Sequence, residues 1–259
     1  MIGKIIKAEM LKLKRYSIIW SGIVMISLSV LLTWFTSTAN DSVLWDFEYF
    51  VNSVIMINCT MIFPATITLI AGYIITREQT DDTLKNILVI PITFREVLIG
   101  KLLTIALLTV LLSLTSFLFV IVVNTIANFP GMTFSLAIKA MIQIIIMNFC
   151  LYIAVMPVII LTSHSQNIFL AGVIFTFFYG YIGTFASSHE LLVNLYPTTA
   201  GLGIIQYNTP SALYNTSYCF FVILFMLIIS AFLIMFTGNH VNKLKPIKKN
   251  KAKTYKKGW

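Results

Sequence analysis

Six apolar runs leave this chain few choices of fold. They cover about Tyr16–Thr36, Val51–Thr76, Val97–Asn124, Leu136–Thr162, Ile168–Ala186 and Ser217–Thr237. A helical run of roughly 20 residues is about 30 Å long, which matches the hydrocarbon thickness of a bilayer. Apolar residues make up 58% of the 259, and charged residues only 10%. Soluble domains hold roughly 45–50% and about 25% respectively, so this chain lacks the charge to cover a water-facing surface. It reads as an all-α integral membrane protein with six transmembrane helices. Tyr16 and Trp20 near one end of the first run, and Trp34 near the other, suit interfacial belts. Pro64 predicts a kink in the second span, and Pro157 lies in the fourth.

The charges test this topology. Six spans put both termini on one side of the membrane. The same side receives Lys4, Lys7, Lys12, Lys14 and Arg15, the group Arg77, Lys85, Arg95 and Lys101, and the lysine-rich tail. Of all lysines and arginines, only Lys139 falls near the opposite face. The positive-inside rule makes the populated side cytoplasmic, and dropping one span would destroy the skew. The expected organisation is an amphipathic interface helix over residues 1–15, a six-span domain over 16–238 and a cytoplasmic tail over 239–259. In the first segment Ile2, Ile5, Ile6, Met10 and Leu13 share a helical face, with the cations mostly elsewhere. That pattern suits a helix lying on anionic lipid. The run that follows is too long for the apolar core of a cleavable signal peptide, so the segment is expected to be retained. A net charge of +9 raises nucleic acid as a partner, but a tail held against membrane lipids explains the lysines with fewer assumptions.

Between spans two and three lies the most charged internal stretch, Arg77–Lys101. Leu84, Ile87 and Leu88 stand at the spacing that gathers them on one face of a short helix. Asp81 or Asp82 is placed to cap its N-terminus, where a carboxylate accepts unpaired backbone N–H groups. Pro91 disfavours its continuation. Thr93 and Glu96 then have the spacing of a capping box that opens the third span. In the fifth span Gly172, Thr176, Gly180 and Thr184 recur every four residues, a small-residue stripe that lets another helix approach, in the same chain or in a second subunit.

Motifs for chemistry are largely absent. Gly100-Lys101 lacks the preceding glycine and the following hydroxyl of a phosphate loop, so ATP hydrolysis by this chain alone is not expected. His164, His189 and His240 are far apart, and Cys59, Cys150 and Cys219 sit in apolar runs without ligand spacing. These point to inert thiols and to no metal site. The Asp81-Asp82 pair lacks the second acidic cluster of a magnesium–diphosphate site. No Asp, Glu or Arg lies deep in a span, which disfavours a proton relay or an intramembrane enzyme.

The pattern Glu78-x-x-x-Asp82-Thr83-Leu84-x-Asn86-x-Leu88-x-x-Pro91-Ile92-x-x-Arg95, closing on Lys101, resembles the cytoplasmic loop of ABC-2 type transporter permeases. Asp82 stands where glycine is common in that family. The resemblance extends over the full length: an N-terminal cytoplasmic helix, six spans and a long external connection between spans five and six. It implies a coupling helix between spans two and three, and a re-entrant external hairpin for which Leu191–Tyr196 and Thr199–Tyr207 are available. It also implies a separate ABC ATP-binding subunit that holds ATP and magnesium, with no cofactor in this chain. Leu84, Ile87 and Leu88 would dock on that subunit, while Glu78 and Arg95 would hold the loop's shape. A second permease copy or a paralogue would complete the pathway. Within the family the chain is most similar to permeases that remove bacitracin-type or lantibiotic-type peptides from the bacterial cell membrane, which implies an antimicrobial peptide cargo and a role in immunity. Alternatives are another lipid-like or drug cargo, or a sensing or structural membrane protein without transport.

Overall fold

The computed structural model describes residues 2–13, 16–39, 44–80, 93–163, 168–207 and 214–237. Their secondary structure is helical throughout, with no strand among the described residues. A first helix, α1 (Ile2–Leu13), precedes α2 (Ile18–Ser37). The second span is one continuous rod made of α3 (Phe47–Ile57), a π-helical turn (Asn58–Ile62) and α4 (Phe63–Thr80). Then come α5 (Phe94–Ala127), α6 (Phe134–Thr162) and α7 (Phe169–Ala186). Two short helices, α8 (Glu190–Leu195) and α9 (Pro197–Ile204), connect to α10 (Thr216–Thr237). Six of these units are long and apolar enough to cross a membrane.

Several spans start or stop where a side chain or a turn satisfies the free backbone groups. The Asp46 carboxylate accepts from the Tyr49 amide at 2.7 Å, and the Thr133 hydroxyl accepts from the Leu136 amide. Asn128 ends α5 in the left-handed conformation, at φ 59°. Gly131 follows at φ 87°, a conformation that favours glycine. There the Pro130 carbonyl accepts from the Phe47 amide, tying the α5–α6 turn to the start of the second span.

The expected kink at Pro64 takes a specific form. Proline lacks an N–H and its ring crowds the carbonyl four residues earlier, which is that of Thr60. The helix widens there by one residue, so the Phe63 amide bonds back to the Asn58 carbonyl. Such π-turns absorb a local misfit without ending the helix. Gly180 of α7 meets this site: a Cβ on it would lie 2.8 Å from the Thr60 carbonyl oxygen and 3.1 Å from the Pro64 ring. Nearer the start of α7, a Cβ on Gly172 would press on Thr162 at the end of α6. Thr176 is fully buried, while Thr184 is half-buried and bonds to its own helix at Tyr181. The small residues at 172 and 180 are therefore packed within the chain.

The second and fourth spans form the centre of the bundle, with 72% and 67% of their most apolar windows buried, against 17% for the sixth. Interior polar groups cross-link the fourth span to the third. The Asn148 amide donates to Ser113 Oγ at 3.0 Å, and the Tyr152 hydroxyl to the Leu102 carbonyl at 2.8 Å. Residues 198–203 of α9 are all buried between spans. Gln143 donates to the Ile205 carbonyl and Tyr207 to the Asn52 carbonyl, fixing the end of α9 to spans four and two.

Backbone cannot yield as a flexible side chain can, so Gly180→Val should cost about 1–3 kcal/mol by overpacking. We expect a lowered unfolding temperature in detergent. Gly3→Ala, which meets nothing within 4 Å, should leave that temperature unchanged or slightly raised.

Candidate functional site at the ends of spans two and three

The predicted short helix, with Asp81, Asp82, Leu84, Ile87 and Leu88, lies outside the described residues. Its two anchors are described. On one side α4 continues to Thr80, carrying Glu78 in its last turn. On the other, Thr93 and Glu96 form a reciprocal capping box at the start of α5. The Thr93 amide donates to Glu96 Oε2 at 2.8 Å, and the Thr93 hydroxyl accepts from the Glu96 amide at 3.3 Å. Arg95 Nη2 donates to the Met235 carbonyl in the last turn of α10. A cation there meets both an unpaired carbonyl and the negative end of the helix dipole. This contact joins the start of span three to the end of span six.

The most heavily buried charges of the site are Glu9 of α1 and Lys101 of α5. Glu9 is 3% exposed, on the same face as Ile5, Ile6, Met10 and Leu13. Its Oε1 accepts from Lys12 at 2.7 Å and its Oε2 from Lys101 at 3.3 Å. The Lys101 ammonium, also 3% exposed, donates in addition to the Ile74 carbonyl at 2.9 Å. One ammonium thus bridges α1, the end of span two and the start of span three. The contact is close because Gly100 presents no side chain: a Cβ there would lie 2.5 Å from Ile5 Cγ2.

A second polar contact reinforces the first. The Arg77 guanidinium donates to the Tyr73 hydroxyl at 2.7 Å and lies 4.5 Å from the centre of the Tyr16 ring. Tyr16 and Tyr73 meet edge to face at 5.9 Å. Tyr16 follows α1 directly, so the connection into span one is also held against span two. Cation–aromatic contacts of this kind contribute about 0.5–2 kcal/mol, more when desolvated.

The role of Glu9 was missing from the sequence reading, although its position carried a signal. It falls four residues from both Ile5 and Leu13, in the middle of the apolar stripe, where an acid needs a partner. Nothing local identifies that partner, which is 92 residues away. Among the described residues no group of three or more His, Cys, Asp or Glu is placed to hold a metal ion. The arrangement ties α1 to the helices that flank residues 81–92 in sequence.

Removing one member of a buried ion pair leaves an uncompensated charge and costs about 3–5 kcal/mol. Glu9→Gln should lower the unfolding temperature accordingly. Glu9→Gln combined with Lys101→Met should recover much of the loss, because the two changes share one interaction.

Residues 5–183 match the family described as ABC-2 family transporter protein. No curated protein matches the chain. The family match runs from α1 into the end of span five and includes the Glu9–Lys101 contact and the segment 81–92. With six helices able to cross a bilayer, this chain belongs to the ABC-2 transporter family and is a multi-pass membrane permease of the ABC type.

Proposed function

We propose that the chain is the permease subunit of an exporter driven by a separate ATP-binding subunit on the cytoplasmic face. The observation that carries this reading is the family match, supported by the polar clamp on the two helices that flank residues 81–92 in sequence. In this reading Leu84, Ile87 and Leu88 form the docking face, and Glu78 shapes its approach. Closure of the ATPase would displace the ends of α4 and α5, and with them spans two and three. Both termini would be cytoplasmic, in a bacterial cell membrane, with α1 at the inner leaflet. The α8–α9 pair would dip from the outer face, and a second permease subunit would complete the pathway. The sixth span, little buried within the chain, leaves apolar surface for lipid and for that subunit.

For cargo we favour an amphipathic molecule, with an antimicrobial peptide foremost. The interior polar groups of the spans are mainly hydroxyls and amides rather than charges, such as Ser113, Thr109 and Asn148. A bundle with few charges deep in its spans suits an amphipathic chain better than a small ion.

The tagged chain, purified in mild detergent from its own membrane, should bring a P-loop ATPase with it. Leu84→Asp combined with Leu88→Asp should insert normally and lose that ATPase, because charges on a dry contact face are costly. A wild-type chain stable without any ATPase would overturn the exporter reading. A double variant that still co-purifies normally would overturn the docking face.

A further inference from the structure

A helix lying on a membrane surface could swing independently of the spans. The geometry of α1 points to another role. We propose that α1 is a fixed arm of the lever formed by the ends of spans two and three, latched by Glu9 and Lys101, and that it moves with them as one body throughout transport. This rests on the exporter reading, because it names the element that carries the ATPase's movement into the bundle.

Three observations carry it. Glu9 and Lys101 are both nearly excluded from solvent, so parting α1 from α5 would leave two opposite charges without each other. Lys101 also bonds the Ile74 carbonyl, so movement of α4 relative to α5 would strain the same ammonium that holds α1. Arg77, three residues beyond Ile74, reaches Tyr16 independently. The three helices therefore meet at the Lys101 ammonium, and Arg77 separately ties the connection after α1 to α4. An ATPase pushing on residues 81–92 would meet a three-helix unit rather than two spans joined by a loose segment.

The Ile5–Gly100 contact provides the test. A Cβ at Gly100 would stand 3.3 Å from Ile5 Cβ, close to the roughly 3.5–4.5 Å of a disulfide. Ile5→Cys with Gly100→Cys would be expressed in the complex with its co-purified ATPase, reconstituted in native lipid and oxidised with copper phenanthroline. Mass spectrometry would report the cross-linked peptides. The wild-type complex, treated identically, controls for the native thiols.

A fixed arm predicts that the cross-link forms and that the complex keeps at least half of its ATP hydrolysis, with little change on reduction. A cross-link that abolishes hydrolysis, with recovery on reduction, would show that α1 must release and would overturn the proposal. Failure of a folded double variant to cross-link would overturn the α1–α5 contact itself. Absence of an ATPase from the wild-type complex would instead sink the exporter reading, so the two failures are distinguishable.

Discussion

Hydrocarbon offers no partner to a backbone N–H or C=O, and this constraint shapes the architecture more than any other. Continuous helices satisfy it along most of each span. The informative places are those where a helix cannot satisfy itself. Pro64 removes one donor, and the chain responds with a π-turn whose displaced Thr60 carbonyl is covered by Gly180. The helix ends are closed by Asp46, Thr93 and Thr133. The last turn of span six is met by Arg95 from span three. The Gly180–Thr60 and Arg95–Met235 contacts also join two elements, so at those places satisfying the backbone and assembling the bundle are the same task.

The Glu9–Lys101 pair extends that logic to side chains. Burying two charges is expensive, and the attraction between them repays it only with good geometry and further hydrogen bonds. Lys12 and the Ile74 carbonyl supply those bonds. A buried pair of this type adds little net stability compared with a well-packed apolar contact. Its consequence is specificity: α1 has a defined place and register against spans two and three. The Glu48–Lys139 pair at the opposite end, 3.0 Å apart, is open to solvent and contributes less.

Local features were legible in the sequence, and tertiary ones were less so. The six spans followed from run length, because hydrocarbon thickness imposes a length on every run. The capping box of Thr93 and Glu96 depends only on residues within one turn of each other. Pro64 signalled a disruption but not its form, since a kink and a π-turn both relieve the same clash. The stripe at Gly172 and Gly180 announced close helix contact without naming the partner, which is the second span of the same chain at Gly180. Glu9 was hardest to place: its carboxylate matters through Lys101, and no local pattern brings those two together. Arg95 likewise finds Met235 only after the whole bundle has closed.

The account treats α1 and the adjoining ends of spans two and three as one moving unit within an ATP-driven permease. The most direct measurement places spin labels at Leu11 and Leu107, both exposed, and records their separation by pulsed electron resonance in the lipid-reconstituted complex. Nucleotide-free and ATP–vanadate-trapped states would be compared. The account predicts the same distance distribution in both states, while labels across the two permease subunits shift. A change of about one helical turn, roughly 5 Å, between Leu11 and Leu107 would show that α1 moves separately and would contradict it.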